Sequence, residues 1–271
     1  MNVEQSLTPK WRKYVAIGDS FTEGLNDVDP HRPEAFRGWA DLLAHSLNER
    51  VAAGGSGEEL QYANLAVRGR LMADVVGDQL ETALEMQPDL VSMIAGGNDI
   101  LRPHVNPDVI ALRLERAVIR LRKAGIDVLL GTGMDTKESP IVNRTRGRTA
   151  LFNAHIWSIA RRHGAYVLDL WGMRALRDWR MWADDRIHLT TEGHKRVAQA
   201  ALVGLELAPD YANWDAPLDS EPLRPRLEQI QDDATWVKTH VFPWATRRLR
   251  GKSSGDERFA KRPDLAPVLD E

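Results

Sequence analysis

The hydrophobic residues of this chain follow two alternating patterns. Nearly continuous apolar runs predict buried β-strands at residues 14–18, 60–66, 90–95, 126–130 and 166–170. Apolar residues spaced three or four positions apart predict amphipathic helices at residues 36–47, 72–84, 110–121, 151–160 and 190–205. The alternation of strand and helix predicts a three-layer α/β/α fold around one parallel five-stranded sheet.

Polar turns follow the predicted strands, and the first of these turns holds a serine. Residues 18–20 read Gly-Asp-Ser directly after the first strand. In open α/β sheets ligands bind at the carboxyl edge of the strands, where Ser20 is expected to lie. A turn in which Asp19 and Ser20 cap the next helix is the simpler interpretation of so short a run. A catalytic role for Ser20 therefore depends on the rest of the chain.

Two more polar turns follow the second and third predicted strands. Gly69 can simply begin a helix, or its N–H can donate to a negative charge. Asn98, in the Gly-Gly-Asn-Asp run at residues 96–99, can end a strand, or its amide can donate to an oxyanion. Arg68 and Arg70 are typical of solvated surface residues, although either could bind an anionic group. The residues alone leave these alternatives open.

A carboxylate three residues before a histidine precedes the last predicted helix. Asp185 can orient the imidazole of His188 and stabilise its protonated form while it accepts a serine proton. The alternative is a metal site formed by His188, Asp184, Asp185 and His194. Their spacing is not one that zinc sites use, so the catalytic interpretation is favoured.

Ser20, Gly69, Asn98 and His188 occur in a specific order, after strands one, two and three and before the last helix. In this the sequence resembles the SGNH hydrolases, the GDSL-type serine esterases and lipases, whose four sequence blocks carry Ser, Gly, Asn and His. The resemblance covers about residues 14–205. It departs from the family name at Phe21, where leucine is usual, and this is an exchange of one apolar residue for another.

The resemblance implies a flavodoxin-like α/β/α fold and a role for each matching residue. It implies that Ser20 is the nucleophile, His188 the base and Asp185 the third member of a triad. It also implies an oxyanion hole formed by the backbone N–H groups of Ser20 and Gly69 and the side-chain amide of Asn98. The expected activity is hydrolysis of a carboxylic ester through an acyl-enzyme, with no cofactor and no metal.

Two other activities use the same site, namely acyl transfer and thioester hydrolysis. A binding module that keeps the fold without turnover is a third alternative, and the intact Ser20, Asp185 and His188 argue against it. Members of the family act on acetylated sugars, lipids, lysophospholipids, simple esters and thioesters. We expect a small soluble or lipid-derived ester, bound between the loop at residues 131–148 and the tryptophan-rich stretch at residues 171–182.

Composition narrows the expected partners and compartment. The chain has 271 residues, with 36 basic and 39 acidic side chains and a net charge of −3, which does not suggest nucleic-acid binding. It has no cysteine, which fits a reducing compartment and excludes a thiolate nucleophile. Residues 1–13 do not resemble a secretory signal, and no apolar run is long enough to span a bilayer. We therefore expect a cytoplasmic protein without an integral membrane segment; its oligomeric state is left open.

The sequence predicts a hydrolase domain at residues 1–210 and an extension at residues 211–271 that packs on it. The extension has an amphipathic piece at residues 227–242 and a basic run at residues 246–264, with seven Lys or Arg and three Asp or Glu. Peripheral contact with a membrane is the less favoured alternative, because aromatic residues accompany those charges. They are Trp236, Phe242 and Trp244.

Overall fold

The computed structural model describes residues 9–55, 57–137, 142–219, 235–236, 238–239 and 253–268. Its strands are β1 Lys13–Gly18, β2 Gln61–Asn64, β3 Leu90–Ile94, β4 Asp127–Gly131, β5 Tyr166–Leu168 and β6 Arg262–Pro267. Its α-helices are α1 Ser20–Glu23, α2 Trp39–Ala53, α3 Met72–Asp74, α4 Leu80–Glu85, α5 Gly97–Ile100, α6 Pro107–Lys123, α7 Arg146–His163 and α8 Thr191–Gly204. All five strands predicted from the sequence are present.

The sheet has the strand order β5-β4-β3-β1-β2-β6. The first five strands pair in parallel. Their 2-1-3-4-5 order is that of flavodoxin-like folds, which confirms the predicted class. Strand order reverses at β1 and β3, and the carboxyl ends of these two strands frame the crevice where such folds bind ligands.

The sheet has a sixth strand that the sequence pattern did not predict. β6 pairs antiparallel with β2 and forms one edge of the sheet. It contains Pro263 and Pro267, which lack a backbone N–H. Such residues are tolerated on an edge strand and weaken its sequence signal. The predicted count of five strands was therefore too low by one antiparallel strand.

The sheet separates two apolar layers. Along β1, Tyr14 and Ala16 pack into one layer, and Val15 and Ile17 pack into the other. This alternation follows from the two-residue period of a strand. Helices α2 and α8 complete the first layer, and α6 and α7 complete the second. The chain thus has the predicted three-layer arrangement.

The helix predicted at residues 72–84 is interrupted. A π-helical turn, Val75–Gln79, joins α3 to α4, and Gly77 within it has non-helical angles of φ −91° and ψ −105°. Glycine tolerates such a kink because it has no side chain. The turn brings the buried side chain of Gln79 against the backbone of Gly18, at the end of β1.

Parts of the predicted extension lie outside the described residues. The amphipathic piece at residues 227–242 is described only at four positions, and the basic run is described from residue 253 onward. In the portion of the chain that the structure describes, no helix combines the length and the hydropathy needed to cross a membrane.

Candidate active site

Ser20 is the first residue of α1 and follows β1 almost directly. Asp19 caps the helix, because its Oδ1 accepts a hydrogen bond from the N–H of Phe21 at 3.1 Å. Gly18 permits a close approach between strands: a Cβ atom at this position would lie 2.5 Å from the carbonyl oxygen of Ile94. A larger residue would displace the turn, so Gly18 helps to fix Ser20 at the carboxyl edge of the sheet.

The hydroxyl of Ser20 is hydrogen-bonded to His188. Nε2 of His188 lies 2.9 Å from Ser20 Oγ, and its Nδ1 lies 2.6 Å from Asp185 Oδ2. An ionised carboxylate can only accept, so Nδ1 carries the proton and Nε2 is left to accept from the serine. The structure therefore brings Ser20, His188 and Asp185 together in one chain of hydrogen bonds.

Asp185 is surrounded by donors. Its Oδ1 accepts from the backbone N–H groups of Ile187 and His188, both at 3.0 Å, and its Oδ2 accepts from Asn26 Nδ2 at 2.9 Å. Burial alone would raise the pKa of Asp185. The hydrogen bond and charge of His188, together with the two backbone donors, lower that pKa to well below its usual value. Asp185 is thus ionised, whereas its neighbour Asp184 is exposed.

His194 does not join His188 and Asp185 to form the alternative metal site. His194 is buried, and its Nδ1 accepts from the N–H of Trp39 at 3.2 Å. Burial, followed by the charges of Lys261 and His188, lowers the pKa of His194 to about 3. Among the described residues, no group of three or more His, Cys, Asp or Glu could hold a metal ion. His194 is a neutral residue of the interior.

Asn98 links the turns that follow β1, β2 and β3. Its Nδ2 donates to Asp19 Oδ2 at 3.2 Å and to the carbonyl oxygen of Arg70 at 3.1 Å. Burial raises the pKa of Asp19 to about 6, although the N–H of Phe21 and the charge of His188 oppose that shift. The side-chain amide of Asn98 therefore lies beside the residue that precedes Ser20.

Gly69 lies in the loop after β2, which is tied to the helix of Ser20. The backbone N–H of Arg68 donates to Glu23 Oε2 at 2.7 Å, and Arg68 Nε donates to Glu23 Oε1 at 3.0 Å. The expectation that Arg68 is solvated was wrong, since its side chain is 15% exposed. A buried carboxylate in α1 needs a paired charge, and Arg68 supplies it.

Ser20, Asn98 and His188 line a cavity of about 590 Å³. Both predicted wall segments contribute to it, the loop at residues 131–148 and the tryptophan-rich stretch, although Trp171 is not among the lining residues. Most of the wall is apolar. It includes Ile94, Ile100, Leu101, Met134, Phe152, Leu170, Leu176, Trp179 and Trp182, and also Trp236 from the extension.

Sequence reasoning missed two residues that hold this site. Asn26, which contacts Asp185, has a positive φ of 76°. Asparagine tolerates that conformation, so its residue type could have indicated a turn but not its partner. Gln79 contacts Gly18 through a π-helical turn that the hydrophobic spacing does not reveal.

Comparison with known proteins identifies a family for most of the chain. The sequence model of the GDSL-like lipase/acylhydrolase family matches residues 16–196. No curated protein gives a significant match.

Several solved structures share the fold. LAE5, an alpha/beta hydrolase enzyme from the metagenome of Lake Arreo in Spain, is 25% identical, with a TM-score of 0.60 over 71% of this chain and 94% of its own. Axe2, an acetylxylan esterase from Geobacillus stearothermophilus, is 18% identical, with a TM-score of 0.60 over 79% of this chain and 99% of its own. TesA is 22% identical, with a TM-score of 0.56 over 71% of this chain and 97% of its own.

Proposed function

Because the chain belongs to the GDSL-like lipase/acylhydrolase family, we propose that it is a serine hydrolase that cleaves a carboxylic ester through an acyl-enzyme on Ser20. The observation that carries the proposal is the chain of hydrogen bonds from Ser20 Oγ through His188 to Asp185, with distances of 2.9 and 2.6 Å. A serine hydroxyl is too weakly acidic to attack an ester unaided, and it needs a base within hydrogen-bond reach.

The first half of the reaction forms the acyl-enzyme. Ser20 Oγ attacks the ester carbonyl carbon while His188 Nε2 takes the hydroxyl proton. Asp185 stabilises the imidazolium and holds the ring in place through Nδ1. The tetrahedral intermediate then collapses, the bond to the alcohol oxygen breaks, and His188 gives the proton to the leaving alcohol. In the second half, His188 takes a proton from a water molecule, which attacks the acyl carbonyl carbon. The bond to Ser20 Oγ then breaks, Ser20 regains its proton from His188, and the carboxylic acid is released.

The negative charge of the intermediate requires donors, and we assign these to the backbone N–H groups of Ser20 and Gly69 and to Asn98 Nδ2. The Ser20 N–H lies in the first turn of α1, where such groups have no partner within the helix. In the structure, Asn98 Nδ2 already donates to Asp19 Oδ2 and to the carbonyl oxygen of Arg70. Donation from Asn98 to an oxyanion therefore exchanges or shares one of these bonds.

The cavity supports an ester with an apolar part. Its volume of about 590 Å³ and its aliphatic and aromatic walls suit an acyl or alcohol group of several carbons. The wall also carries four arginines, Arg144, Arg148, Arg177 and Arg186, which can contact a polar or anionic part of the same substrate. We therefore propose a small soluble or lipid-derived ester as the substrate. Transfer of the acyl group to an acceptor other than water, and cleavage of a thioester, would use the same residues.

A fluorophosphonate, which phosphonylates activated serines, tests the mechanism. We expect mass spectrometry to find one adduct, on Ser20, which is lost in Ser20→Ala and strongly slowed in His188→Ala. An adduct elsewhere, or full hydrolysis by Ser20→Ala, would end the proposal.

A panel of esters tests the substrate class. It contains p-nitrophenyl esters from acetyl to palmitoyl, acetylated xylan, lysophospholipid and acyl-CoA, with product analysis for transfer to added alcohols. We expect the highest kcat/KM on a small or lipid-derived ester. The highest rate on acetylated xylan would contradict the proposed substrate while leaving the mechanism intact.

A further inference from the structure

Residues beyond the family match contact three separate segments of the active site. The matched region ends at residue 196. Beyond it, Trp236 Nε1 donates to the carbonyl oxygen of Asp185 at 2.8 Å, and Ser253 Oγ donates to that of Gly69 at 3.3 Å. Lys261 Nζ donates to the carbonyl oxygen of Glu23, the last residue of α1, at 2.7 Å.

Lys261 fixes both ends of the segment between α1 and α2. Besides the Glu23 carbonyl, its ammonium group donates to the carbonyl oxygen of Phe36 at 2.9 Å and to Asp41 Oδ2 at 2.5 Å. An ammonium group has three N–H donors, and all three are used here. A cation at the carboxyl end of a helix also interacts favourably with its exposed carbonyl groups. Lys261 thereby anchors the short helix that begins at Ser20.

The turn at residues 253–256 packs directly on the loop that carries Gly69. A Cβ atom on Gly255 would lie 1.9 Å from the carbonyl oxygen of Arg68, and one on Gly69 would lie 2.2 Å from Ser253 Oγ. The turn is braced internally, because Ser253 N donates to Asp256 Oδ2 at 2.9 Å. The two backbones are therefore in contact with no room for a side chain at either glycine.

The sheet holds this turn and Lys261 in place. β6 begins at Arg262, directly after Lys261, and Arg262 Nε donates to the carbonyl oxygen of Tyr62 in β2 at 2.8 Å. Lys261 and Arg262, two residues of the basic run that suggested a membrane contact, thus have partners within the protein. The contacts run from the edge of the sheet to the active site.

We propose that the turn at residues 253–256 and Lys261 are positioning elements of the active site. The turn sets the position of the loop carrying the Gly69 N–H, and Lys261 sets that of the helix carrying Ser20. The inference rests on the proposed function, in which Ser20 and the Gly69 N–H act on the same tetrahedral intermediate. A displacement of about 1 Å can lower a rate by about 100-fold, so these contacts would act on turnover rather than on substrate binding.

Two substitutions in the full chain test the proposal. Gly255→Ala forces the turn away from Arg68, and Lys261→Met keeps most of the side-chain length while removing the charge and its three hydrogen bonds. Each has a control. Gly54→Ala makes the same chemical change at an exposed position with φ −69°, which alanine adopts without strain and which does not line the cavity, and Phe259→Ala removes a side chain that is 92% exposed.

The measurements are kcat and KM on a p-nitrophenyl ester, the rate of fluorophosphonate labelling, and circular dichroism to confirm folding. We expect kcat and the labelling rate to fall together by about 10-fold or more in both test variants, with KM nearly unchanged and both controls like the original chain. A merely structural role predicts a lower melting temperature with unchanged kcat for the folded fraction, and that outcome would overturn the proposal.

Two further outcomes have separate meanings. If Gly255→Ala does not fold, Ser253→Ala replaces it: a lower kcat at unchanged KM supports the role of the turn, and an unchanged kcat refutes it. If the original chain neither cleaves esters nor reacts at Ser20, the proposed function has failed. An active original chain with equally active test variants contradicts only the positioning role.

Discussion

The side-chain amide of Gln79 forms two hydrogen bonds with the backbone of Gly18. The N–H of Gly18 donates to Gln79 Oε1 at 2.8 Å, and Gln79 Nε2 donates to the carbonyl oxygen of Gly18 at 3.0 Å. Gly18 is the last residue of β1 and lies two positions before Ser20. The paired amide therefore fixes the point at which the strand ends and the turn to the proposed nucleophile begins.

Gln79→Leu is expected to impair both folding and turnover. Leucine has a similar volume but removes both hydrogen bonds to Gly18. The carbonyl oxygen of Gly18 still accepts from the N–H of Val67 at 3.4 Å, so we expect the free energy of unfolding to fall by about 1–3 kcal/mol. Because the turn is then less well fixed, we expect kcat to fall by about 10-fold or more. Urea denaturation and ester kinetics check these effects. Thr82→Ala, an exposed change in the following helix, is the control, and a Gln79→Leu enzyme with unchanged kcat would refute the assignment.

Asn26 is expected to position Asp185. Asn26→Gly keeps a residue that tolerates the positive φ of 76° but removes the hydrogen bond to Asp185 Oδ2. Asp185 retains its backbone donors and His188, and the contact is exposed, so we expect kcat to fall by only about 3- to 10-fold, less than the full value of about 1.5–3 kcal/mol for a hydrogen bond to a charged group. The loss is measured by comparing kcat and KM on a p-nitrophenyl ester between Asn26→Gly and the original chain. Equal kcat values would mean that the contact does not orient the aspartate.

The two adjacent carboxylates before His188 are expected to differ sharply. Asp185→Ala removes the group that orients the imidazole, and we expect kcat/KM to fall by about 1000- to 10,000-fold, as for other triads. Asp184→Ala removes an exposed carboxylate and should change kcat/KM by less than about 3-fold. Ester hydrolysis by the two purified variants measures the difference. Similar losses in both variants would contradict the assigned triad.

Short sequence patterns predicted the strands and the polar turns that follow them, because these features depend mainly on neighbouring residues. The apolar runs gave the five parallel strands, and the turns after them carried Ser20 and Asn98. Asn26, Gln79 and Lys261 have no such signal, since their partners lie 159, 61 and 238 residues away along the chain. Only the folded arrangement joins them. The edge strand β6 was missed for a related reason, because its stability comes from pairing with β2 rather than from its own proline-containing sequence.

The stability of the protein is expected to depend on the ionisation of Asp19. Burial raises its pKa from 3.8 to about 6, so between these values the folded chain holds a proton that the unfolded chain has released. This contribution to stability is complete below pH 3.8 and is lost as the pH rises to about 6. It amounts to roughly 3 kcal/mol at about 1.36 kcal/mol for each pKa unit.

Comparison with Asp19→Asn isolates this effect, because asparagine does not titrate. Other groups contribute nearly equally to both proteins. Urea denaturation at a series of pH values should therefore show the variant gaining roughly 3 kcal/mol relative to the original chain between about pH 4 and pH 7. Parallel stability profiles would mean that the pKa of Asp19 is close to its usual value.

Asn98→Ala is expected to separate catalysis from stability. The proposed oxyanion hole loses one of three donors, which should lower kcat by about 100- to 1000-fold. The contacts of Asn98 with Asp19 and Arg70 are also lost, at about 1–3 kcal/mol in the free energy of unfolding.

Asn106→Ala is the control. It removes the cap of α6, whose Oδ1 accepts from Asp108 N at 2.8 Å, and lowers stability by about 1 kcal/mol at a residue that does not line the cavity. If kcat merely followed stability, the two variants would lose activity in proportion to their unfolding free energies, and Asn98 would not be an oxyanion donor. A large loss of kcat and of fluorophosphonate reactivity in Asn98→Ala, with kcat unchanged in Asn106→Ala, would assign the amide to the transition state.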